Sequence, residues 1–258
     1  MSSRGSHQIN AHEDGEDTLE KRTINRNLLT TIYYTANKNW SFSALLPVVE
    51  KYHSHVNNPQ GAIQNESWSF SRLGDIKLVS TYRLDAKDEP YNLGFRAGLK
   101  LPTGSYQVAN AAGTIAERAL QPGTGSSDLI FGVFYSSVGF THDASWFLET
   151  SAQSSMMTSK EFRPGNQYQL STGYKQPFTK DLSVTLQINA TSKDADSGIN
   201  AEPLLSGSKS VYITPGISYS VTKDWLTYLD GQFPVYRYVN GIQLSADASL
   251  IAGFTFRY

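Results

Sequence analysis

The composition of this 258-residue chain narrows its class before any motif is considered. The formal net charge of -1 offers no basic surplus for binding nucleic acid, and the absence of cysteine excludes disulfides and thiolate metal or redox sites. No apolar run approaches the roughly 20 residues of a membrane-spanning helix. Residues 1–8 lack the apolar centre of a signal peptide, so an exported protein would need its signal to have been removed or left out of this sequence.

From residue 23 onward, apolar and polar residues alternate repeatedly, which is the pattern of β-strands. In the clearest case Leu182, Val184, Leu186, Ile188 and Ala190 share one face, and serine, threonine, glutamine and asparagine occupy the other. Each segment is long enough for a tilted bilayer-crossing strand of about 9–11 residues. The predicted strands cover residues 23–35, 40–50, 72–84, 91–101, 127–137, 145–156, 167–177, 182–191, 211–221, 225–238 and 243–258.

The connections alternate between short polar turns and long loops rich in Gly, Ser, Asn and Pro. Outer-membrane barrels have this arrangement, with tight periplasmic turns and longer external loops, whereas a soluble β-sandwich has no reason to keep it. We therefore predict an all-β fold, a transmembrane antiparallel β-barrel in the outer membrane of a Gram-negative bacterium. The turns lie at 37–39, 85–90, 141–144, 179–181 and 223–224, and the loops at 51–71, 102–126, 157–166 and 192–210.

The final strand indicates which face meets lipid. Leu250, Ala252, Phe254 and Phe256 form an apolar row that ends in aromatic residues at the C-terminus. Aromatic side chains concentrate at the two rims of outer-membrane barrels. We expect this row to face lipid and the alternate residues to face the lumen.

The strand count leaves a gap in the prediction. Eleven strands would place the start of the chain outside the cell, whereas bacterial barrels normally have an even number. A strand is absent upstream, or lies unrecognised within 1–22 or a long loop, or the N-terminal segment threads the lumen. We predict 12 strands, within a range of 10–14, and two regions: residues 1–22, a polar acidic tail or lumen plug, and residues 23–258, the barrel.

Two stretches resemble a known family. Residues 94–104 read GFRAGLKLPTG, and residues 120–128 read LQPGTGSSD. Together with residues 74–78, the strand from Trp40 to Pro47 and the final strand, they are similar to the outer-membrane transporter family associated with meta-pathway phenol degradation. The resemblance implies an outer-membrane barrel that passes small organic molecules, often aromatic ones.

If the apolar faces meet lipid, charged residues of both signs line the lumen. Opposite charges on neighbouring strands favour ion pairs, because an isolated charge in a narrow lumen is costly to desolvate. These pairs either only hold the wall together or form a polar constriction that orients solutes, and the mixed signs argue against strong ion selectivity. The predicted lumen-lining residues are Asp75, Lys77, Arg83, Arg96, Lys100, Glu149, Lys175, Asp230, Gln232, Asp247 and Arg257.

The other polar motifs are weaker signals. His53 and His55 have metal-ligand spacing but no evident third ligand, so we predict a solvated loop there and no metal or cofactor. The acidic run at residues 12–17 does not match a calcium loop. We predict either a solvated tail or a plug that the lumen cations Lys77, Arg83, Arg96 and Lys100 attract.

Three functions remain at this point. The first is a porin-like channel or transporter for small organic solutes, hydrophobic or aromatic ones among them. The second is a structural or partner-binding barrel at the cell surface with little flux. The third, an enzyme, is the weakest, because no histidine falls in a predicted strand, and we predict that the chain is not one. The expected partners are the lipid bilayer and a small solute, with a surface protein in the second case and no nucleic acid.

Overall fold

The computed structural model describes residues 2–5, 7–8, 18–57, 64–84, 90–141, 143–156, 161–241 and 243–257. These residues form β-strands joined by turns, loops and two short 3-10 helices, Arg118–Leu120 and Pro203–Leu205. None of the helices in these ranges is long and apolar enough to cross a membrane. The strands are β1 Ser2–Gly5, β2 His7–Gln8, β3 Thr18–Thr35, β4 Trp40–Asn57, β5 Gln64–Leu73, β6 Ile76–Arg83, β7 Tyr91–Leu101, β8 Asp128–Val138, β9 Ser145–Ser155, β10 Gln167–Pro177, β11 Leu182–Lys193, β12 Ser208–Ser220, β13 Trp225–Val239, β14 Leu244–Ser245 and β15 Ala248–Phe256.

The strand pairing is antiparallel and returns to its starting point. From β3 it runs through β1, β15 and β13, then back down the chain order from β12 to β6, and on to β4, which pairs again with β3. β5 and β6 follow one another along β4, so they form a single strand broken at residues 74–75. With β5 and β6 counted once, and the separate β2–β14 pair set aside, the described residues form a ring of twelve strands. The predicted antiparallel barrel fold is confirmed.

β1 supplies the strand that the sequence prediction lacked. Ser3 of β1 lies opposite Ser249 of β15 on one side and Asn25 of β3 on the other. Of the three explanations for the odd count, a strand within residues 1–22 is the one observed. The boundary predicted at residue 23 shifts as well, because β3 begins at Thr18. The acidic run at 12–17 lies outside the described residues, so its role as tail or plug stays a prediction.

One predicted loop is largely strand. β4 continues to Asn57 and β5 begins at Gln64, so the segment 51–71, predicted as a loop, forms most of a hairpin that prolongs the sheet. Its alternation is hard to recognise because both faces of this extension carry polar residues. An exposed ion pair between Arg26 and Glu50 (2.9 Å) ends the apolar row of β3 and β4 where the extension begins.

Alternation gives the ring one apolar face and one polar face. On the apolar face Leu28 and Phe254 are each 67% exposed, and Phe131 is 58% exposed. So many uncovered apolar side chains are unfavourable in water and normal against lipid. Aromatic rings lie together at the short-turn end of this face, where Trp40 and Tyr82 have centroids 4.8 Å apart.

The two faces predict opposite responses to a new charge on the final strand. We expect Leu250→Arg to lower the free energy of unfolding by about 2–4 kcal/mol, because the charge would enter the lipid near its midplane. Ser249→Arg, one residue away on the polar face, should cost far less. Unfolding titrations of the protein in lipid vesicles measure both, and equal costs would contradict the assignment of the faces.

Candidate functional site

The loop at residues 102–127, between β7 and β8, folds back over the polar face of β4 and β5. Trp68 and Phe70 of β5 are buried there with Ala116 and Leu120 of the loop. Trp68 Nε1 donates a hydrogen bond to the carbonyl of Thr114 (2.9 Å). The loop therefore lies against the barrel wall and does not project away from it.

Side chains within the loop hold its shape. Gln121 Oε1 accepts a hydrogen bond from the N–H of Val108 (2.9 Å), and Gln121 Nε2 donates to the carbonyl of Ala116 (2.7 Å). Lys51 Nζ of β4 donates to the carbonyl of Ala119 (3.2 Å). Because these polar groups are satisfied by the loop itself and by the wall, the loop is a defined structural element.

The two ends of this loop meet at a buried ionic cluster of Asp75, Lys100 and Asp128. Lys100 Nζ lies 2.9 Å from Asp128 Oδ2 and 3.3 Å from Asp75 Oδ2. Lys100 is 3% exposed and Asp128 is fully buried. Lys100 also donates to the hydroxyl of Thr124, and Ser126 Oγ donates to Asp128 Oδ1 (2.8 Å). A charge buried this completely is tolerated only because it is paired and hydrogen-bonded.

Asp75 is the residue that joins the loop ends. Its carboxylate accepts hydrogen bonds from the N–H of Gly104 (3.0 Å) and from the N–H and hydroxyl of Thr124 (2.9 and 3.0 Å). The backbones at Gly104 and Gly123 approach so closely that a Cβ on Gly123 would lie 2.7 Å from Asp75 Oδ1. The two signature stretches, 94–104 and 120–128, are therefore the two sides of one clamp on Asp75.

Two further polar contacts span the polar face, the first nearer the short turns and the second beside the ionic cluster. Arg96 of β7 makes a bidentate ion pair with Glu149 of β9 (3.0 and 3.1 Å), and its guanidinium lies 4.9 Å over the ring of Phe134. Lys77 Nζ of β6 donates to Gln153 Oε1 of β9 (2.9 Å). Each contact passes over at least one intervening strand.

The remaining predicted lining residues are separate from these contacts. By strand register, Arg83, Lys175, Asp230 and Gln232 share the polar face, and Arg257 follows β15 in the same alternation. Asp247 pairs with Arg237 (3.2 Å) where β13 and β15 are joined. Within the described part of the chain, Arg83, Lys175, Asp230 and Arg257 have no ion pair. Asp128, the innermost carboxylate, is absent from the sequence prediction.

The prediction of a solvated loop at His53 and His55 is wrong. Both histidines are buried in the β4 extension and form a hydrogen-bonded chain with Thr23 and Glu66: His53 with Thr23 (2.8 Å), His53 with His55 (3.2 Å), and His55 with Glu66 (3.2 Å). Trp68 covers both rings. Burial lowers the pKa of His53 to about 4, with smaller effects from His55 and Lys51. No cluster of three metal-ligating residues occurs among the described residues.

A neighbouring loop contacts the 102–127 loop from the other side. The guanidinium of Arg118 lies 5.1 Å over the ring of Tyr106 and 4.6 Å over the ring of Phe162, which belongs to the connection after β9. Phe162 is 3% exposed. Cation–π contacts of this kind join the two loops into one layer above the polar face.

Comparison with known proteins agrees with this architecture. The fold is similar to the crystal structure of an outer membrane channel from Pseudomonas putida F1. The superposition covers 98% of this chain and 91% of the channel, with a TM-score of 0.65 and 12% sequence identity. No curated protein matches the sequence. Residues 18–241 match the family described as putative MetA-pathway of phenol degradation. The resemblance predicted from residues 94–104 and 120–128 is confirmed, and the chain belongs to this family.

Proposed function

We propose that this chain is an outer-membrane channel for small organic solutes, with the polar face lining its lumen and the 102–127 loop forming the constriction. The observation that carries the proposal is the ionic cluster of Asp75, Lys100 and Asp128, which fixes that loop across the polar face. A barrel that only anchored a partner would have no need to hold a loop there through buried charges, which are costly to desolvate.

A side-chain contact between strands that are not neighbours supports the polar face as the inner face of the barrel. Lys77 on β6 contacts Gln153 on β9 although β7 and β8 lie between their strands. In a closed sheet such a path is short only on the concave side. The proposed lining consists of the predicted set and Asp128: Asp75, Lys77, Arg83, Arg96, Lys100, Asp128, Glu149, Lys175, Asp230, Gln232, Asp247 and Arg257.

The membrane location and the solute class have separate support. The apolar face exposes large side chains such as Leu28 and Phe254, as a lipid-facing surface does. The similar solved structure is that of an outer membrane channel, and the family description refers to phenol degradation. Aromatic and other small organic molecules are therefore the solutes that we propose, and we propose transport in place of catalysis.

A partner-binding barrel with little flux is the second candidate. The observation that favours it is the loop itself, because Trp68, Phe70, Ala116 and Leu120 pack it tightly over the lumen face. In that case the loop closes the barrel permanently. The two candidates differ in whether the intact protein conducts.

Conductance in planar bilayers tests the proposal. We expect small, stable channels from the intact protein, and larger ones after residues 107–119 are replaced by Gly-Ser-Gly, because the constriction is removed. The matched control replaces residues 199–204, the mainly exposed part of the loop at 194–207, by Gly-Ser-Gly and should leave the conductance unchanged. An intact protein that inserts without conducting, while the 107–119 variant conducts, would favour the partner-binding barrel.

A further inference from the structure

We propose that the channel prefers organic anions, and that Arg83, Lys175 and Arg257 confer this preference at the short-turn mouth of the lumen. The inference rests on the proposed function and names its solute class. It also revises the expectation from sequence that mixed signs argue against strong ion selectivity, because the structure pairs most of these charges and leaves Arg83, Lys175 and Arg257 without an ion pair among the described residues.

The three cations lie on the polar face at the same end of the barrel. Arg83 is the last residue of β6, opposite Gly94 of β7. Lys175 of β10 lies opposite Thr185 of β11, close to the turn that follows β10. Arg257 continues the β13–β15 ladder, with its N–H donating to the carbonyl of Asp224 in the turn before β13 (2.9 Å).

Most other charges on the polar face are compensated. Arg96 is paired with Glu149. The two carboxylates of Asp75 and Asp128 lie with Lys100 and with Lys77, which is opposite Lys100 on β6, so the cluster has two charges of each sign. Near the opposite rim, Lys193 is paired with Asp196 (2.9 Å), and Arg237 with Asp247. These pairs contribute little net field at the axis of the lumen.

The uncompensated charges are mainly positive. In the described strands, the carboxylate on this face without an ion pair is Asp230, which lies beside Gly216. Its one negative charge compares with the three positive charges at the mouth. Exposed Lys180 and Asp181, like Lys223 and Asp224, balance within their own turns. Residues 85–89, outside the described part, include Asp85, Asp88, Glu89 and Lys87, so the experiment must test whether they neutralise Arg83.

Aromatic rings beside these cations indicate the body of the solute. Three lining glycines, Gly94, Gly173 and Gly253, are covered by the rings of Phe134, Phe147 and Tyr228. The short-turn end of the lumen therefore presents cations and aromatic surface together. A ring of cationic side chains favours anions in a narrow pore, and ring faces favour a flat apolar body. An aromatic carboxylate satisfies both.

Reversal potentials measure the preference. In a KCl gradient the intact channel should pass chloride at least about threefold better than potassium, as fixed charge in a narrow cleft concentrates counter-ions. With potassium benzoate in place of KCl, the preference for the anion should persist. The combined variant Arg83→Gln, Lys175→Gln and Arg257→Gln should bring the permeability ratio close to one.

The control variant carries Lys180→Gln with Asp181→Asn and Lys223→Gln with Asp224→Asn, which removes two exposed turn lysines at the same end together with the carboxylates that balance them, and it should keep the anion preference. A further variant, Asp85→Asn with Asp88→Asn, should leave the permeability ratio unchanged, and a rise in the ratio would show that these carboxylates neutralise Arg83 and would overturn its role. Folding of each variant is checked by the heat-dependent gel shift of the barrel. Conducting channels without anion preference, or an unchanged ratio in the Arg83, Lys175 and Arg257 variant, would overturn this inference alone. Folded protein without conductance, even when residues 107–119 are replaced, would overturn the proposed function as well.

Discussion

Replacing Lys100 by methionine should loosen the two ends of the 102–127 loop and lower the free energy of unfolding by about 3–5 kcal/mol. Lys100 lies 2.9 Å from Asp128 and 3.3 Å from Asp75. Methionine keeps much of the side chain's length but removes its charge, so two carboxylates stay buried without their cation. Removing one partner of a buried ion pair has this cost because the other charge is left uncompensated.

Unfolding titrations in vesicles and bilayer conductance both report on this change. The Lys100→Met channel should conduct more and fluctuate more, because the uncompensated carboxylates of Asp75 and Asp128 then weaken the meeting of the loop ends. Lys180→Met, in an exposed turn, is the matched control and should change neither property. Adding Asp75→Asn and Asp128→Asn to Lys100→Met should recover part of the stability, because the uncompensated charges are then gone. A Lys100→Met protein as stable as the control would show that the cluster does not hold the loop.

The alternation of apolar and polar residues was enough to predict the barrel, but it could not predict the clamp on Asp75. The alternation at residues 182–191 and in the final strand depends on neighbouring residues only, and it correctly predicted strands there. The clamp depends on pairing between distant segments. Asp75 meets Gly104 and Thr124 only after β6 and β7 have paired and the loop has returned. The signature stretches could be recognised, but their meeting point could not.

Asp128 was missed because β8 is apolar on both faces. Its polar face carries Ile130 and Phe134 beside Asp128, while Leu129 and Phe131 lie on the other face. Alternation then does not show which face of the strand is turned toward the lumen. The arginine above Phe134 explains why an aromatic ring is accepted on the polar face, since Arg96 lies over it and pairs with Glu149.

His53 and His55 were misread for a related reason. Sequence patterns report strands that have one face in lipid, and the β4 extension begins beyond Glu50, where that face ends. What buries the histidines is Trp68, together with the 102–127 loop that covers it, which is a contact between distant segments. A neutral His53, whose pKa burial lowers to about 4, is compatible with this apolar cover.

The second large effect is expected at Trp68, which holds the far part of the same loop. Trp68→Ala removes the hydrogen bond to Thr114 and the packing against Ala116 and Leu120. A buried tryptophan truncated to alanine costs about 3–5 kcal/mol, and here the loss should also raise conductance by loosening the constriction. Trp146→Ala, on the apolar face where the side chain is 38% exposed, is the matched control and should not change conductance.

Combining Trp68→Ala with Lys100→Met tests whether the two ends of the loop and the part packed on Trp68 act as one unit. If the loop is a single element with two anchors, the cost of the double variant should be less than the sum of the single costs, because the first change already releases much of what the second would. Conductance should likewise rise little beyond the larger single effect. Strictly additive costs and conductances would mean that the ionic cluster stabilises the wall, and that Trp68 alone positions the constriction.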